Sequence, residues 1–162
     1  MAKITVPKKQ LEPPAKLPGG VYEIMCKGFK PQWTKGTDPT KSKSINLCPQ
    51  LNVINNSNGE FNGKPVYDWL NQNAGWIIND FCHAFGLEMV DKGDSVDIPG
   101  EFVGPDGDPT KWTYNGPLTN ATGNVELVEI DSNKGGKLTV VKRYICKVPG
   151  CTTQHSENLV RS

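Results

Sequence analysis

Residues 71–87, NQNAGWIINDFCHAFGL, carry the most sustained helical pattern of the sequence. Apolar residues recur in it at spacings of three and four, which places them on one face of a helix. These residues are Ala74, Ile77, Ile78, Phe81, Cys82 and Phe85. We expect Asn71 or Asn73 to cap the start of the helix and Gly86 to end it in the left-handed conformation. About four turns are too few to span a membrane, so the apolar face must pack on neighbouring strands.

Strand-like alternation lies on both sides of this helix. The five predicted strands cover residues 21–33, 44–55, 64–70, 123–131 and 137–147. Gly28 predicts a bulge in the first strand, and Pro49 predicts a bulge or an edge position in the second. Residues 88–122 have no sustained period, so we expect them to be functional or to form a hairpin of their own. The order predicts an all-β protein with one helix, namely an OB-fold-like five-stranded barrel with the helix between strands three and four.

The composition suits a single domain. The chain has 162 residues, and its many glycines and prolines favour short strands and turns over a helical bundle. We predict a basic, Pro- and Lys-rich N-terminal arm (residues 1–18), an OB-fold-like domain (19–147) and a polar C-terminal tail (148–162). No apolar run resembles a signal peptide or a membrane span, so we expect a cytosolic protein without membrane contacts.

Charge is distributed unevenly along the chain. Residues 1–43 carry nine lysines against three acidic residues, a net +6. Residues 44–133 carry three lysines against thirteen acidic residues, a net −10, and residues 134–162 carry six basic residues against one acidic, a net +5. If the first and last strands pair, the fold gathers one positive face. The alternative is ordinary solvated surface charge.

Four motifs in order carry a resemblance to a known family. They are PGGVYEIMCKGFKPQWTK at 18–35, GEFNGKPVYDWLNQNAGWIINDFCHAFGL at 59–87, NVELVEI at 124–130 and GGKLTVVKRYI at 135–145. Together they resemble phage-encoded single-stranded DNA-binding proteins, a family long catalogued as a domain of unknown function. The resemblance covers roughly residues 18–146. The acidic C-terminal tail of the better-known bacterial single-strand binders is missing, because this tail reads TTQHSENLVRS.

This resemblance implies a function without catalytic residues or cofactors. The expected activity is binding of single-stranded DNA without strong sequence preference, which protects the strand during phage DNA replication or recombination. The expected location is the cytoplasm of the infected bacterial host. Candidate partners beside the DNA are phage replication or recombination proteins and further copies of the chain. The alternative is a structural or virion-associated β-protein that acts through protein–protein contacts.

Binding a single strand requires cations that follow the phosphates and aromatic faces on which bases stack. The candidate cations are Lys30, Lys35, Lys41, Lys43, Lys137, Lys142 and Arg143. The candidate aromatic residues are Trp33, Tyr67, Trp69, Trp112 and Tyr114.

Position ranks the aromatic candidates. Trp33 is the strongest, because it lies at a strand exit beside the lysine-rich loop. Tyr67 and Trp69 share one face of the third strand, and they face the ligand only if Val66 and Leu70 fill the core. Four further aromatic residues are assigned to packing: Phe29, Trp76, Phe81 and Phe85.

Enzymatic and metal sites are weaker interpretations. Cys146, Cys151 and His155 resemble half a zinc site, but a structural site needs four ligands, so we predict no metal. The five cysteines are interpreted as small buried thiols in a reducing compartment. Asp80 and His83 are one turn apart without an accompanying nucleophile, which indicates an exposed polar helix face. A nuclease would need a carboxylate cluster, and the only one lies in a turn-rich loop. It consists of Asp91, Asp94, Asp97, Asp106 and Asp108.

Overall fold

The structure is a computed structural model that describes residues 2–6, 17–34, 44–57 and 59–151. The described chain contains eleven strands, one α-helix and one short 3-10 helix. In chain order they are β1 (Gly20–Phe29), β2 (Gln32–Trp33), β3 (Ile45–Asn46), β4 (Pro49–Ile54), β5 (Pro65–Val66), α1 (Gly75–Ala84), β6 (Val90–Asp91), β7 (Val96–Asp97), β8 (Glu101–Val103), the 3-10 helix (Pro109–Lys111), β9 (Thr113–Asn115), β10 (Thr122–Asp131) and β11 (Lys137–Ile145).

The main sheet is antiparallel and curls into a half-barrel. Its strand order is β11-β10-β1-β4-β5, so β1 pairs with β10 on one side and with β4 on the other. Ile24 in β1 lies opposite Val53 on one side and Gly123 on the other, and it is fully buried. The prediction of an all-β protein with one helix is confirmed at this level.

Two bulges shape the sheet. In β1 the register shifts between Cys26 and Gly28, so Lys27 is the extra residue, and the bulge predicted from Gly28 is confirmed. In β11 the partners of Glu126 and Leu127 are Arg143 and Val141, which leaves Lys142 as the extra residue. A bulge increases the local twist and redirects the side chain of the extra residue.

The second predicted strand is interrupted. Residues 44–55 form β3 and β4 with a break at Leu47 and Cys48, and Cys48 has a φ of 45°. Pro49 follows this break and begins β4, where it needs no backbone N–H donor. The irregularity expected at Pro49 therefore lies one residue earlier, at Cys48.

The helix ends as predicted but begins differently. Its N-cap is Ala74, which makes no side-chain capping bond, so the prediction of an asparagine cap is wrong. Asn71 instead accepts a hydrogen bond from the Asn73 N–H (2.8 Å) and donates one to Asn46 (2.8 Å). Gly86 adopts a φ of 78° and its N–H donates to the His83 carbonyl, while the Leu87 N–H donates to the Cys82 carbonyl. This pair of bonds is the Schellman motif.

The helix packs against β10 and β11 with its predicted apolar face. Ile78, Phe81 and Phe85 are buried, whereas Ile77 is only partly buried. The packing is close, because a Cβ on Gly123 would lie 2.5 Å from the carbonyl oxygen of Ala84. Helix and sheet therefore share one hydrophobic core.

Two predictions for the helix surface are wrong. Trp76, expected to pack in the core, is 62% exposed in the first turn. Asp80 and His83, expected on an exposed face, are only 3% and 4% exposed. The end of β11 covers His83, since the Lys147 N–H donates to the His83 carbonyl (3.0 Å). This contact joins residues far apart in sequence, so helical periodicity alone did not predict it.

Residues 88–122 form two hairpins, β6–β7 and β8–β9, which confirms the expectation of local ordering. Tyr114 in β9 is buried, and its hydroxyl donates to the Pro99 carbonyl. The centroid of its ring lies 5.0 Å from the ring centroid of Phe29 and 5.2 Å from that of Phe102. Tyr114 is therefore a core residue, and its assignment as a candidate ligand contact is wrong.

The two edges of the half-barrel flank a cavity of about 440 Å³. Val66 of β5 and Leu138 of β11 line it from opposite sides, together with Leu17. Leu17 belongs to the predicted arm, yet it is buried, and its carbonyl accepts a hydrogen bond from Thr139 (2.5 Å). The described residues include no helix with the length and apolarity needed to cross a membrane.

Candidate nucleic-acid interface

Tyr67 and Trp69 project from the chain directly after β5. They are 80% and 68% exposed, whereas Val66 and Leu70 are buried in the core. The alternation of extended chain therefore places the two aromatic side chains on the outer face. The sequence predicted that Tyr67 and Trp69 would be exposed if Val66 and Leu70 filled the core, and both of the latter do.

Asp68 fixes the position of this segment. One carboxylate oxygen accepts a hydrogen bond from the Trp69 N–H (2.8 Å), and the other accepts one from the buried Tyr144 hydroxyl (2.5 Å). Because Tyr144 belongs to β11, this side chain links the segment to the opposite edge of the half-barrel. The two exposed aromatic side chains are thus attached to a backbone that Asp68 ties to β11.

A groove of about 370 Å³ runs beside the two aromatic side chains, and we call it the aromatic groove. Its charged, amide-bearing and aromatic lining residues are Lys27, Lys30, Gln50, Asn52, Tyr67, Asp68 and Trp69. Both lysines are exposed, and neither forms an ion pair with the other residues that the structure describes. The fold therefore gathers cations and aromatic faces in one concave surface.

Lys27 is the groove residue that the sequence argument missed. It is the extra residue of the β1 bulge, which turns it outward between the buried Cys26 and Gly28. The signal was present, since Lys27 is also the polar member of the alternation that begins at Tyr22. Lys30, which was predicted, lies just beyond the end of β1, and its N–H donates to the Cys48 carbonyl (3.1 Å).

The predicted cations of β11 lie elsewhere. Lys142 and Arg143 both pair with Glu126, at 3.6 Å and 2.6 Å. The hydrogen bond from Arg143 and, after it, the charge of Lys142 lower the pKa of Glu126 below its ordinary value. Lys137 pairs with Asp131 at 2.6 Å and lines the edge cavity. None of these three cations lines the aromatic groove.

Trp33 and Trp112 hold one loop. Both indoles are half-buried, and their N–H groups donate to the carbonyls of Gly107 (3.2 Å) and Pro105 (2.8 Å). Neither tryptophan lines the aromatic groove, so the structure does not bring the favoured Trp33 together with Tyr67 and Trp69. Lys35, Lys41 and Lys43 lie outside the described residues.

A second cluster combines a histidine with two cysteines. His83 Nδ1 lies 3.3 Å from Cys151 Sγ and 3.7 Å from Cys146 Sγ, and these three atoms lie within 4.8 Å of one another. Sequence spacing associates the two cysteines with His155, which lies outside the described residues, and does not include His83. An imidazole and two thiols in contact are chemically able to hold a transition metal.

The thiols differ in their environments. Burial raises the pKa of Cys26 to about 11 and that of Cys82 to about 12, as expected for buried structural cysteines. Burial also raises the pKa of Cys146, and the neighbouring Cys151 thiol and Asp80 carboxylate add to this effect. Cys48, Cys146 and Cys151 are only half-buried, so the prediction of buried thiols does not hold for these three.

The chain matches no protein-family model, no curated protein and no solved structure.

Proposed function

We propose that this protein binds single-stranded DNA without strong sequence preference, and that the strand lies in the aromatic groove. The observation that carries the proposal is the pair of exposed aromatic side chains, Tyr67 and Trp69, beside the exposed Lys27 and Lys30. Each aromatic ring offers a face to one base, and each ammonium group offers a contact to one phosphate. A duplex hides its base faces, so we expect it to bind much less tightly.

The topology supports an OB-like interpretation of the half-barrel. The order β11-β10-β1-β4-β5 contains a three-stranded meander followed along the chain by α1, and β10 joins the free side of β1. OB-folds bind oligonucleotides on the face formed by their second and third strands. The aromatic groove lies against β4 and β5, which are the second and third strands of the main sheet in chain order.

The cost of exposing the two aromatic rings also favours a ligand. Large apolar groups that cluster on a surface beside polar residues mark interaction sites more often than chance placement. Here Asp68 ties the segment that carries them to Tyr144 of β11, so the rings are presented by an anchored backbone. Coating of single strands in phage replication or recombination, in the infected host, is the biological role that such binding suits.

Equilibrium titration with oligo-dT tests the proposal. Loss of one stacked base costs about 1–3 kcal/mol, so Trp69→Ala should weaken binding by roughly 5- to 150-fold. Trp76→Ala is the matched control, because Trp76 is also exposed but does not line the groove. Its affinity should equal that of the unmodified protein.

A salt titration separates the role of the lysines. Replacement of Lys27 and Lys30 by alanine should lower affinity for every sequence alike, and it should reduce the log–log salt slope by about 0.7 for each phosphate that a lysine no longer neutralises. The control replaces Lys92 and Lys111, which are exposed but lie outside the groove. No mobility shift with micromolar protein at low salt would refute the proposal and favour a structural β-protein. Magnesium-dependent cleavage of the oligonucleotide would instead reveal a nuclease.

A further inference from the structure

We propose that His83, Cys146 and Cys151 are ligands of a structural zinc ion that fastens the turn after β11 to helix α1. The proposal is independent of the aromatic groove, because none of the three residues lines it. It rests on the positions of three ligand atoms, one from the helix and two from a segment more than 60 residues later in the sequence.

The distances fit a tetrahedral site. With zinc–sulfur and zinc–nitrogen bonds of about 2.3 and 2.1 Å, sulfur and nitrogen ligands at a tetrahedral angle lie about 3.6 Å apart. The distances from His83 Nδ1 to the two Sγ atoms are 3.3 and 3.7 Å. Both distances therefore lie within about 0.3 Å of the tetrahedral value, and the two sulfur atoms lie within 4.8 Å of each other.

The backbone holds the ligands together without the metal. The hydrogen bond from the Lys147 N–H to the His83 carbonyl places Cys146 beside the helix. The chain then turns back, with the Cys151 N–H donating to the Val148 carbonyl (3.3 Å) and Gly150 at a φ of 67°. Four residues separate the two cysteines, a spacing within the range found in zinc loops.

The donor set selects the metal. Two thiolates and an imidazole favour zinc over the hard cations magnesium and calcium, which take oxygen ligands. Zinc binds cysteine as the thiolate, so its binding releases one proton from each thiol to solvent.

A structural zinc ion takes four ligands, and the described residues supply three.

Metal analysis and cobalt substitution test the site in the full-length, untagged chain. Protein purified without added metal should contain about one zinc ion per chain. Cobalt added to the reduced apo-protein should produce thiolate-to-metal charge transfer and the intense visible bands of tetrahedral coordination. Cys146→Ser and Cys151→Ser should each weaken binding by more than about 100-fold, since loss of even an outer-shell partner costs about 10- to 100-fold.

Cys48→Ser is the matched control, because Cys48 is also half-buried but lies outside the cluster. It should keep the zinc content and the cobalt spectrum of the unmodified protein. Circular dichroism should establish that each variant is folded, so that loss of metal is not loss of structure. The proposal is overturned if the folded, reduced protein shows no thiolate–cobalt band. It is equally overturned if Cys146→Ser and Cys151→Ser bind as well as Cys48→Ser does, or if the two cysteines form a disulfide whose reduction restores no metal binding.

Discussion

Truncation of Phe81 to alanine should destabilise the protein more than most single substitutions. Phe81 is 1% exposed, and its ring centroid lies 4.8 Å from that of Phe85, 5.3 Å from that of Tyr144 and 5.9 Å from that of Phe29. Core Phe→Ala substitutions cost about 3–5 kcal/mol, and aromatic pairs add about 0.5–1.5 kcal/mol beyond their area. We therefore expect about 4 kcal/mol, a large fraction of the roughly 5–15 kcal/mol that is typical of domains.

Urea denaturation followed by circular dichroism measures this loss. With a slope near 2 kcal/mol/M, about 4 kcal/mol corresponds to a midpoint shift of about 2 M. Trp76→Ala, on the same helix but 62% exposed, is the control and should shift the midpoint far less. If Phe81→Ala cost no more than this control, or less than about 1.5 kcal/mol, the packing of α1 against the sheet described above would be wrong.

Two further substitutions examine the helix ending and the outer face of the sheet. Gly86→Ala should cost about 1–2 kcal/mol in urea denaturation, because Gly86 has a φ of 78° that disfavours a Cβ. The control is Gly75→Ala in the first turn of the helix, where the added Cβ meets no atom within 4 Å, so it should be neutral or stabilising. Equal losses of stability at the two positions would contradict the left-handed helix ending at Gly86. Glu126→Gln should lower the Tm at neutral pH, where the carboxylate bonded by Arg143 is ionised. Because the folded-state pKa of Glu126 is lowered, this difference should vanish as the pH falls below the ordinary carboxyl range, and a difference that grows in acid would refute it.

Local signals predicted the parts of the fold that depend on neighbours in sequence. The periodicity of residues 71–87 and the left-handed Gly86 predicted the helix and its end, and Gly28 predicted the bulge in β1. The asparagine cap failed because the side-chain oxygen of Asn71 accepts the Asn73 N–H, while its amide nitrogen donates to Asn46 on β3. No rule based on spacing along the chain includes the bond to β3.

The same distinction applies to the candidate sites. The exposure of Tyr67 and Trp69 follows from the alternation around Val66, and the sequence predicted it for the case in which Val66 is buried. The half-buried indole of Trp33 was not predictable, because its partner Gly107 lies 74 residues away in the sequence. The cluster around His83 was likewise hidden, since it forms only when β11 ends beside the helix.

The unclosed main sheet has a consequence for self-association. A sheet with two open edges invites strand addition from a neighbouring molecule, and proteins suppress this with short edges, proline, bulges and charge. Here one edge strand is only two residues long and begins with Pro65, which has no N–H to offer. The other edge is longer, but it carries a bulge at Lys142 and charged side chains at Lys137 and Arg143. These features disfavour edge-to-edge pairing between molecules, so the two edges of the half-barrel can stay apart without promoting aggregation.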